Sequence, residues 1–325
     1  RWPNNVVAHN GLADTLKAQD RLDEAERLYR DTVSRWPNNV VAHNGLADTL
    51  KAQDRLDEAE RLYRDTVSRW PNNVVAHNGL ADTLKAQDRL DEAERLYRDT
   101  VSRWPNDVFA HTGLAETLRA QGRLDEAERL YREIVSRWPN DRIARHGLAN
   151  VLRKRKRFEE ALELVPDPGM LRGRQDQYDL HLRGMVFLNS GSVDSAIALF
   201  MQALNQQLSH KRRNLFVSTL ALAELKHKDY LAAIKALDTI EKTTPSVLTL
   251  RLHAVAGNDD ESEARRIHSE LTSNVLHFPK LKLVKEPLQK ITTAYGLDSR
   301  HGLKTPTTVQ LDELIQSEIE MLLAA

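Results

Sequence analysis

The sequence predicts an all-α fold, a solenoid of stacked helical hairpins, from two features of its first half. The segment 1–34 recurs letter for letter at 35–68 and at 69–102, so the chain has a fixed period of 34 residues. Within each copy, apolar residues fall at helical spacing twice, on either side of a short polar turn at 18–21 in the first copy. One hairpin cannot bury both of its apolar faces alone, whereas identical hairpins stacked in a row share one long core.

The repeat pattern changes along the chain. A fourth copy, 103–136, differs from the first three at eight positions, and a fifth starts at Arg137 and fades near Pro166. In the first copy, the apolar face of the first helix is predicted to comprise Ala8, Leu12, Ala13 and Leu16. The apolar face of the second helix is predicted to comprise Leu22, Ala25, Leu28, Tyr29, Thr32 and Val33.

The residues at the predicted helix ends suit their positions. Asn4 or Asn5 can cap the first helix through a side-chain oxygen. Asp23 and Glu24 place negative charge in the first turn of the second helix, where the helix dipole favours it. Pro37 and its equivalents follow each second helix and stop it, because proline lacks the amide donor that a continuing helix needs.

The repeat resembles the tetratricopeptide repeat family. The resemblance rests on Leu12-Ala13, Leu16, Ala25, Tyr29 and Pro37, which have the spacing of that family, and on the length of the repeat. It implies a right-handed α-solenoid, or superhelix, with a diverged C-terminal helical part. Three positions depart from the family pattern: His9 replaces tryptophan, Asp20 replaces a glycine that returns as Gly122, and Thr32 replaces alanine.

Composition shifts and broken periodicity predict four segments. Residues 1–165 form five regular hairpins, 166–174 an irregular linker, 175–272 diverged hairpins, and 273–325 a C-terminal helical cap. Within the last segment, helices are predicted at 281–294 and 309–323. We interpret the apolar stripe of the final helix as covering the open end of the stack. The alternative is that helix 309–323 docks into a partner or a second copy, which would make the protein self-associate.

The first candidate site is the inner surface of the hairpins. Val7, Asn10, Asp14 and Lys17 share the helix face opposite the core stripe. The resemblance implies that this helix lines a concave groove and that the groove binds an extended peptide through a column of asparagines. The candidate groove residues are Asn10, Asp14, Lys17, Asn44, Asp48, Lys51, Asn78, Asp82, Lys85, Thr112, Glu116, Arg119, His146, Asn150 and Arg153. The alternative is a solvated face on which Asp14 pairs with Lys17.

The second candidate is a basic run in the turn of the fifth hairpin. It comprises Arg153, Lys154, Arg155, Lys156 and Arg157. Such a run can bind an acidic partner or nucleic acid. No aromatic residues interleave it, so a solvated turn is favoured and nucleic-acid binding is unlikely. The recurring His9 and Trp2 positions are interpreted as packing residues and not as metal ligands or an aromatic cage.

Charge balance and cysteine content argue against several classes of function. Lys+Arg and Asp+Glu both number 47, so no net charge directs the chain to nucleic acid or to a lipid surface. There is no cysteine, hence no disulfide framework and no thiolate chemistry. No signal peptide or membrane-spanning stretch is visible, and we expect a cytoplasmic protein that is part of a longer chain, because the pattern is already under way at Arg1.

The sequence contains no recognisable catalytic, metal or cofactor motif, so no cofactor is expected. It therefore predicts a non-catalytic scaffold or adaptor that binds a protein or peptide partner through the groove and the diverged C-terminal half. Two alternatives stay open. The chain can be the regulatory or substrate-recruiting arm of a larger enzyme, or it can bind an acidic partner or nucleic acid through the basic turn.

Overall fold

The computed structural model describes residues 5–166, 177–240, 244–273, 281–298 and 302–324, and every regular element in these ranges is an α-helix. The chain separates into two units, Arg1–Leu152 (unit 1) and Arg153–Ala325 (unit 2). The helices that begin in unit 1 are α1 Val6–Ala18, α2 Leu22–Arg35, α3 Val40–Ala52, α4 Leu56–Arg69, α5 Val74–Ala86, α6 Leu90–Arg103, α7 Val108–Ala120, α8 Leu124–Arg137 and α9 Arg142–Lys154. The unit boundary falls in the last turn of α9.

The first helix of each hairpin in unit 1 is capped by a side chain, as the sequence predicts for Asn5. The side chain of Asn5 accepts hydrogen bonds from the amides of Val7 and Ala8 at 3.0 and 3.1 Å. The equivalent Asn39 accepts one from the Ala42 amide at 2.8 Å. Each cap satisfies amide groups that the first turn of a helix leaves without an intrahelical partner.

The core of unit 1 depends on small residues where helices approach. Ala13 and Ala25 are fully buried, as predicted, and so is the Tyr29 ring. The ring lies so close to Gly45 of the next hairpin that a Cβ there would sit 2.4 Å from it. Leu12 differs from the prediction, since it is 55% exposed. It lies in the first of the described hairpins, whereas in each later hairpin the preceding one covers its equivalent.

The recurring histidine and tryptophan are packing residues, as predicted, and the structure shows that they pack against each other. The Nε2 atom of His43 lies 3.0 Å from the carbonyl oxygen of Pro37. Its ring lies 5.1 Å from the ring of Trp70, which belongs to the turn after the next second helix. The Arg69 guanidinium covers the same indole at 4.6 Å. Each Trp-Pro turn is therefore held against the hairpin before it.

The backbone conformation of the turn inside each hairpin explains why the family prefers glycine there. Asp54 has a φ of 63°, in the left-handed region, and the equivalent Gly122 has a φ of 77°. A non-glycine residue is strained in this region, although aspartate tolerates it better than most.

Replacing Asp54 by glycine should therefore stabilise the protein. Relief of strain outweighs the extra backbone entropy of glycine, so we expect a gain of about 0.5–1 kcal/mol. Urea unfolding followed by circular dichroism measures it. The reciprocal change, Gly122→Asp, should cost a similar amount, and a stabilising effect of that variant would contradict the explanation.

Unit 2 continues with helical pairs and two further helices. Its helices are α10 Phe158–Glu163, α11 Gln177–Ser190, α12 Val193–Leu204, α13 His210–His227, α14 Tyr230–Leu237, α15 Pro245–Gly257, α16 Glu261–Ser273, α17 Leu281–Tyr295 and α18 Thr308–Ala324. Helices α11 to α16 pack as consecutive pairs, and α17 and α18 pack on each other and on α15. The two helices predicted in the last segment are thus present. None of the described helices has both the length and the apolar character needed to cross a lipid bilayer.

The apolar stripe of α18 is buried within unit 2. Leu314, Ile315 and Ile319 are at most 5% exposed. They join the clusters built around α13 and α17. Because other helices of unit 2 cover it, the stripe is not exposed to a partner or a second copy. The linker at 166–174 lies almost wholly outside the described residues, and the four predicted segments remain a prediction.

Candidate functional site

The first helices of the hairpins form one face of unit 1. Helices α1, α3, α5 and α7 contact one another in succession, in addition to their own second helices. On this face lies a cavity of about 490 Å³, which we call the inner groove. It is lined mainly by residues of α3, α5 and α7, with Asp141 and Ile143 at the start of α9. Six of the candidate residues line it: Asp48, Lys51, Asn78, Asp82, Thr112 and Glu116.

Two members of the predicted asparagine column are buried between successive hairpins, whereas Asn78 lines the groove. Asn10 and Asn44 are only 8% and 7% exposed. Their Nδ2 atoms donate to the Oδ1 atoms of Asn39 and Asn73, each at 3.1 Å. These acceptors are the capping residues of the next first helix, so the amides join successive hairpins. The physical reason is that neighbouring first helices touch, which brings each asparagine to the cap of the next.

The fourth copy breaks this column. Asn78 donates to Asp107 at 2.9 Å, but the next position is Thr112. Thr112 is 6% exposed, and its Oγ1 has no hydrogen-bond partner among the described residues. Thr112 is one of the residues that line the inner groove, and its enclosed Oγ1 leaves a polar atom unsatisfied in the groove wall.

The acidic and basic side chains on this face form ion pairs, and Tyr97 contacts one of these pairs. The hydroxyl of Tyr97 donates to Asp82 at 2.6 Å, and Lys85 lies 3.0 Å from the same carboxylate. Lys85 also contacts Glu116 of the next hairpin at 2.7 Å. The expected i, i+3 pairs therefore exist, and Asp14–Lys17 and Asp48–Lys51 repeat them.

These contacts fix the charge states in the groove. Burial works to raise the pKa of Asp82, but the Lys85 charge and the Tyr97 hydroxyl outweigh it and hold that pKa below its usual range. Burial works to lower the pKa of Lys85, but Asp82 and Glu116 keep it above its ordinary value. Both groups are therefore charged near neutral pH.

An exposed apolar row borders the groove. Val75, Phe109 and Ile143 line it and are 53%, 65% and 47% exposed, and Val41 continues the row at 52%. Val7 is predicted from the sequence to lie on this face, but none of its equivalents is among the predicted groove residues. The available signal was that this position is apolar in all five copies although its helix face is opposite the core.

The remaining candidate groove residues lie towards the end of unit 1 and beyond it. Arg119, His146 and Asn150 are half-buried and do not line the groove. Arg153 belongs to unit 2 and is 3% exposed, with its Nη1 atom donating to Asn189 Oδ1 at 2.7 Å. Burial removes Arg153 from any binding surface.

The basic run is accordingly divided by the structure. Arg153 is inside unit 2, and Arg157 is half-buried and pairs with Glu160 at 2.5 Å. Lys154 and Lys156 are exposed, and Arg155 is half-buried. The five side chains therefore do not form one continuous exposed patch. Among the described residues, no group of three or more His, Asp or Glu side chains could hold a metal ion.

His181 of unit 2 lies close enough to the buried Arg153 to feel its charge. Its ring contacts Phe200 and Phe216 at 6.1 and 5.6 Å. Burial, helped by the Arg153 charge, lowers the pKa of His181 to about 4. Because the folded pKa lies below the unfolded one, the neutral ring contributes its full stability above about pH 6.5, and this is lost as the pH falls towards 4.

We therefore compare the parent chain with a His181→Leu variant. Between pH 7 and pH 4, the free energy of unfolding of unit 2 should fall by about 2–3 kcal/mol more in the parent chain than in the variant. Comparing the variant with the parent chain removes the common effect of the carboxylates. Urea unfolding at several pH values provides the measurement. Parallel pH profiles for the two proteins would show that His181 is not held neutral.

The comparisons with known proteins agree on the fold. Family models described as tetratricopeptide repeat match residues 3–72, 38–106, 78–142 and 112–165, which together span half of the chain. No curated protein matches the sequence.

Two solved structures illustrate the likeness. A chain of the APC/C hetero-tetramer Cut9-Hcn1 aligns with a TM-score of 0.62 at 19% identity, covering 85% of this chain and 54% of that one. This chain thus spans about half of the length of that protein. A tetratricopeptide repeat protein from Parabacteroides merdae ATCC 43184 aligns with a TM-score of 0.59 at 14% identity, covering 77% and 98%. At these identities the likeness shows the fold alone.

The stacked hairpins, the small residues where their helices meet and the match to the family models lead to one conclusion. The chain belongs to the tetratricopeptide repeat family, whose members generally mediate protein–protein interactions.

Proposed function

We propose that this chain is a non-catalytic interaction module that binds an extended segment of a partner protein in the inner groove. The observation that carries the proposal is the exposed apolar row beside the groove. Val75, Phe109 and Ile143 recur once per hairpin and remain about half exposed or more. Regularly spaced apolar side chains on a concave surface suit a ligand that runs along the stack of first helices.

The energetics favour the same surface. Covering exposed apolar side chains contributes roughly 25 cal/mol per Å² of apolar area removed from water. Large aromatic residues contribute most to such contacts, which makes Phe109 the expected anchor. The fixed Asp–Lys pairs and buried asparagine amides keep the groove in shape before the ligand arrives, so little entropy is lost in ordering it.

Selectivity is expected where the copies differ. The first three copies present identical chemistry, whereas Phe109, Thr112 and Glu116 are specific to the fourth. Unit 2 adds exposed side chains of its own near the starts of α11 and α13, Tyr178 and Leu215. The proposal therefore includes a second, more specific contact of the partner with the C-terminal half. The burial of Arg153 weighs against nucleic-acid binding through the basic turn.

Selection from a library of random twelve-residue peptides displayed on phage tests the groove. The full chain is the bait, and each selected peptide is then titrated against Val75→Ser/Phe109→Ser. Both positions are exposed, so the fold should survive. We expect the affinity to fall about tenfold or more, because the apolar anchor is lost.

The matched control is Leu231→Ser. Leu231 is 64% exposed, but it lies on α14 of unit 2 and is not among the residues that line the inner groove. This variant should bind the selected peptides as the parent does. Unchanged binding by the groove variant, or failure of the library to yield any binding peptide, would overturn the proposal.

A further inference from the structure

The inner groove is acidic although the chain as a whole is neutral. Five carboxylates line it, against one ammonium group, that of Lys51. The carboxylates belong to Asp48, Asp82, Asp107, Glu116 and Asp141. Lys85 flanks the groove and offsets part of this charge without cancelling it.

The cations are also less exposed than the anions. The side chains of Lys51 and Lys85 are 26% and 22% exposed, whereas those of Asp48 and Asp82 are 38% and 44% exposed. Each lysine nitrogen lies 5.9 Å from the centre of a tyrosine ring. The lysine side chains therefore lie over tyrosine rings. Carboxylates make up most of the charged surface that a ligand would contact.

A second observation, independent of the charge, also points to a ligand. Thr112 lines the groove and is only 6% exposed. Its Oγ1 has no hydrogen-bond partner among the described residues. Buried polar groups are normally satisfied. A hydroxyl both donates and accepts, so a rotation of the Thr112 side chain that brings the enclosed Oγ1 to the groove would let a backbone amide or carbonyl of a bound segment satisfy it.

From these features we infer that the bound segment is basic, with Lys or Arg side chains alternating with apolar ones. This inference rests on the proposed function. Apolar side chains of the segment contact the row of Val75, Phe109 and Ile143. Its cations meet the exposed carboxylates beside that row. A cleft lined by one sign of charge concentrates ligands of the opposite sign and speeds their association.

Two labelled twelve-residue peptides test the inference, one alternating Lys with Leu and the other alternating Glu with Leu. Fluorescence anisotropy with the full chain should show binding of the Lys peptide at least about tenfold tighter than that of the Glu peptide. Because the attraction is between exposed charges, its affinity should fall as salt is raised.

Paired variants assign the effect to the groove. Asp82→Asn/Glu116→Gln removes two groove charges, and the new side chains can still accept hydrogen bonds. Asp65→Asn/Asp99→Asn changes the net charge equally on the outer helices α4 and α6, where both side chains are more than half exposed. We expect about a tenfold loss for the Lys peptide with the groove variant only.

The outcomes separate this inference from the proposed function. Tighter binding of the Glu peptide, equal losses in the two variants, or binding of neither peptide would overturn the basic-segment inference. The proposed function would still stand in each case if library peptides depended on Val75 and Phe109. Loss of that dependence would overturn both.

Discussion

Replacing Glu318 by alanine is expected to destabilise unit 2 by about 3–5 kcal/mol, because it removes one partner of a buried polar pair. Glu318 on α18 and His253 on α15 are both completely buried. The Nδ1 atom of His253 lies 2.9 Å from Oε2 of Glu318. Burial raises the pKa of Glu318, because removing a carboxylate from water is unfavourable. Without it, both ring nitrogens of His253 would lack a partner among the described residues.

Two optical signals allow this effect to be assigned to unit 2. All five tryptophans lie before residue 153, so tryptophan fluorescence reports on unit 1 alone, while circular dichroism reports on both units. The Glu318→Ala variant should show an early transition in circular dichroism with unchanged fluorescence.

A double variant supplies the control for the buried pair. Replacing both residues, in His253→Leu/Glu318→Leu, removes the polar groups together and should cost far less than the single change. A Glu318→Ala protein as stable as the parent would show that α18 is not held by this contact.

Replacing Tyr97 by alanine is expected to cost about 3–5 kcal/mol in unit 1, since it empties the space of a buried aromatic ring. Tyr97 is 1% exposed. Its ring packs so closely on Gly113 that a Cβ there would lie 2.3 Å away. It thus joins the third hairpin to the fourth, besides holding Asp82 through its hydroxyl.

The variant Tyr97→Phe separates packing from hydrogen bonding. It keeps the ring and removes the hydroxyl, so we expect a loss of about 1 kcal/mol. Urea unfolding followed by tryptophan fluorescence compares the two variants. Equal losses for alanine and phenylalanine would mean that the hydroxyl, and not the ring against Gly113, stabilises the interface between hairpins.

The fold could be predicted from the sequence because its signals are local. Helical spacing, the alanines at close contacts and the prolines after each second helix all lie within one 34-residue copy. The 34-residue period then repeats the same hairpin along the chain. Even the left-handed turn at Asp54 had a signal, since Gly122 replaces the equivalent aspartate in the fourth copy.

The details of the groove were harder to predict because they depend on how one hairpin is offset from the next. The sequence placed Asn44 on the inner face, but only the structure shows that its amide reaches Asn73 in the following cap. The basic run likewise looked exposed, but Arg153 is buried and donates to Asn189, 36 residues away. His253 and Glu318 are 65 residues apart, so no local pattern links them.

Hydroxyl-radical footprinting of Phe109 tests the central claim, that the inner groove is the binding surface, most directly. Phe109 is 65% exposed, and the differences in the fourth copy give it a peptide that mass spectrometry can assign uniquely. Met201, 53% exposed on α12 of unit 2, serves as the internal reference. With a saturating library-selected peptide, we expect oxidation of Phe109 to fall several-fold relative to Met201. Unchanged oxidation of Phe109 at saturation would contradict it.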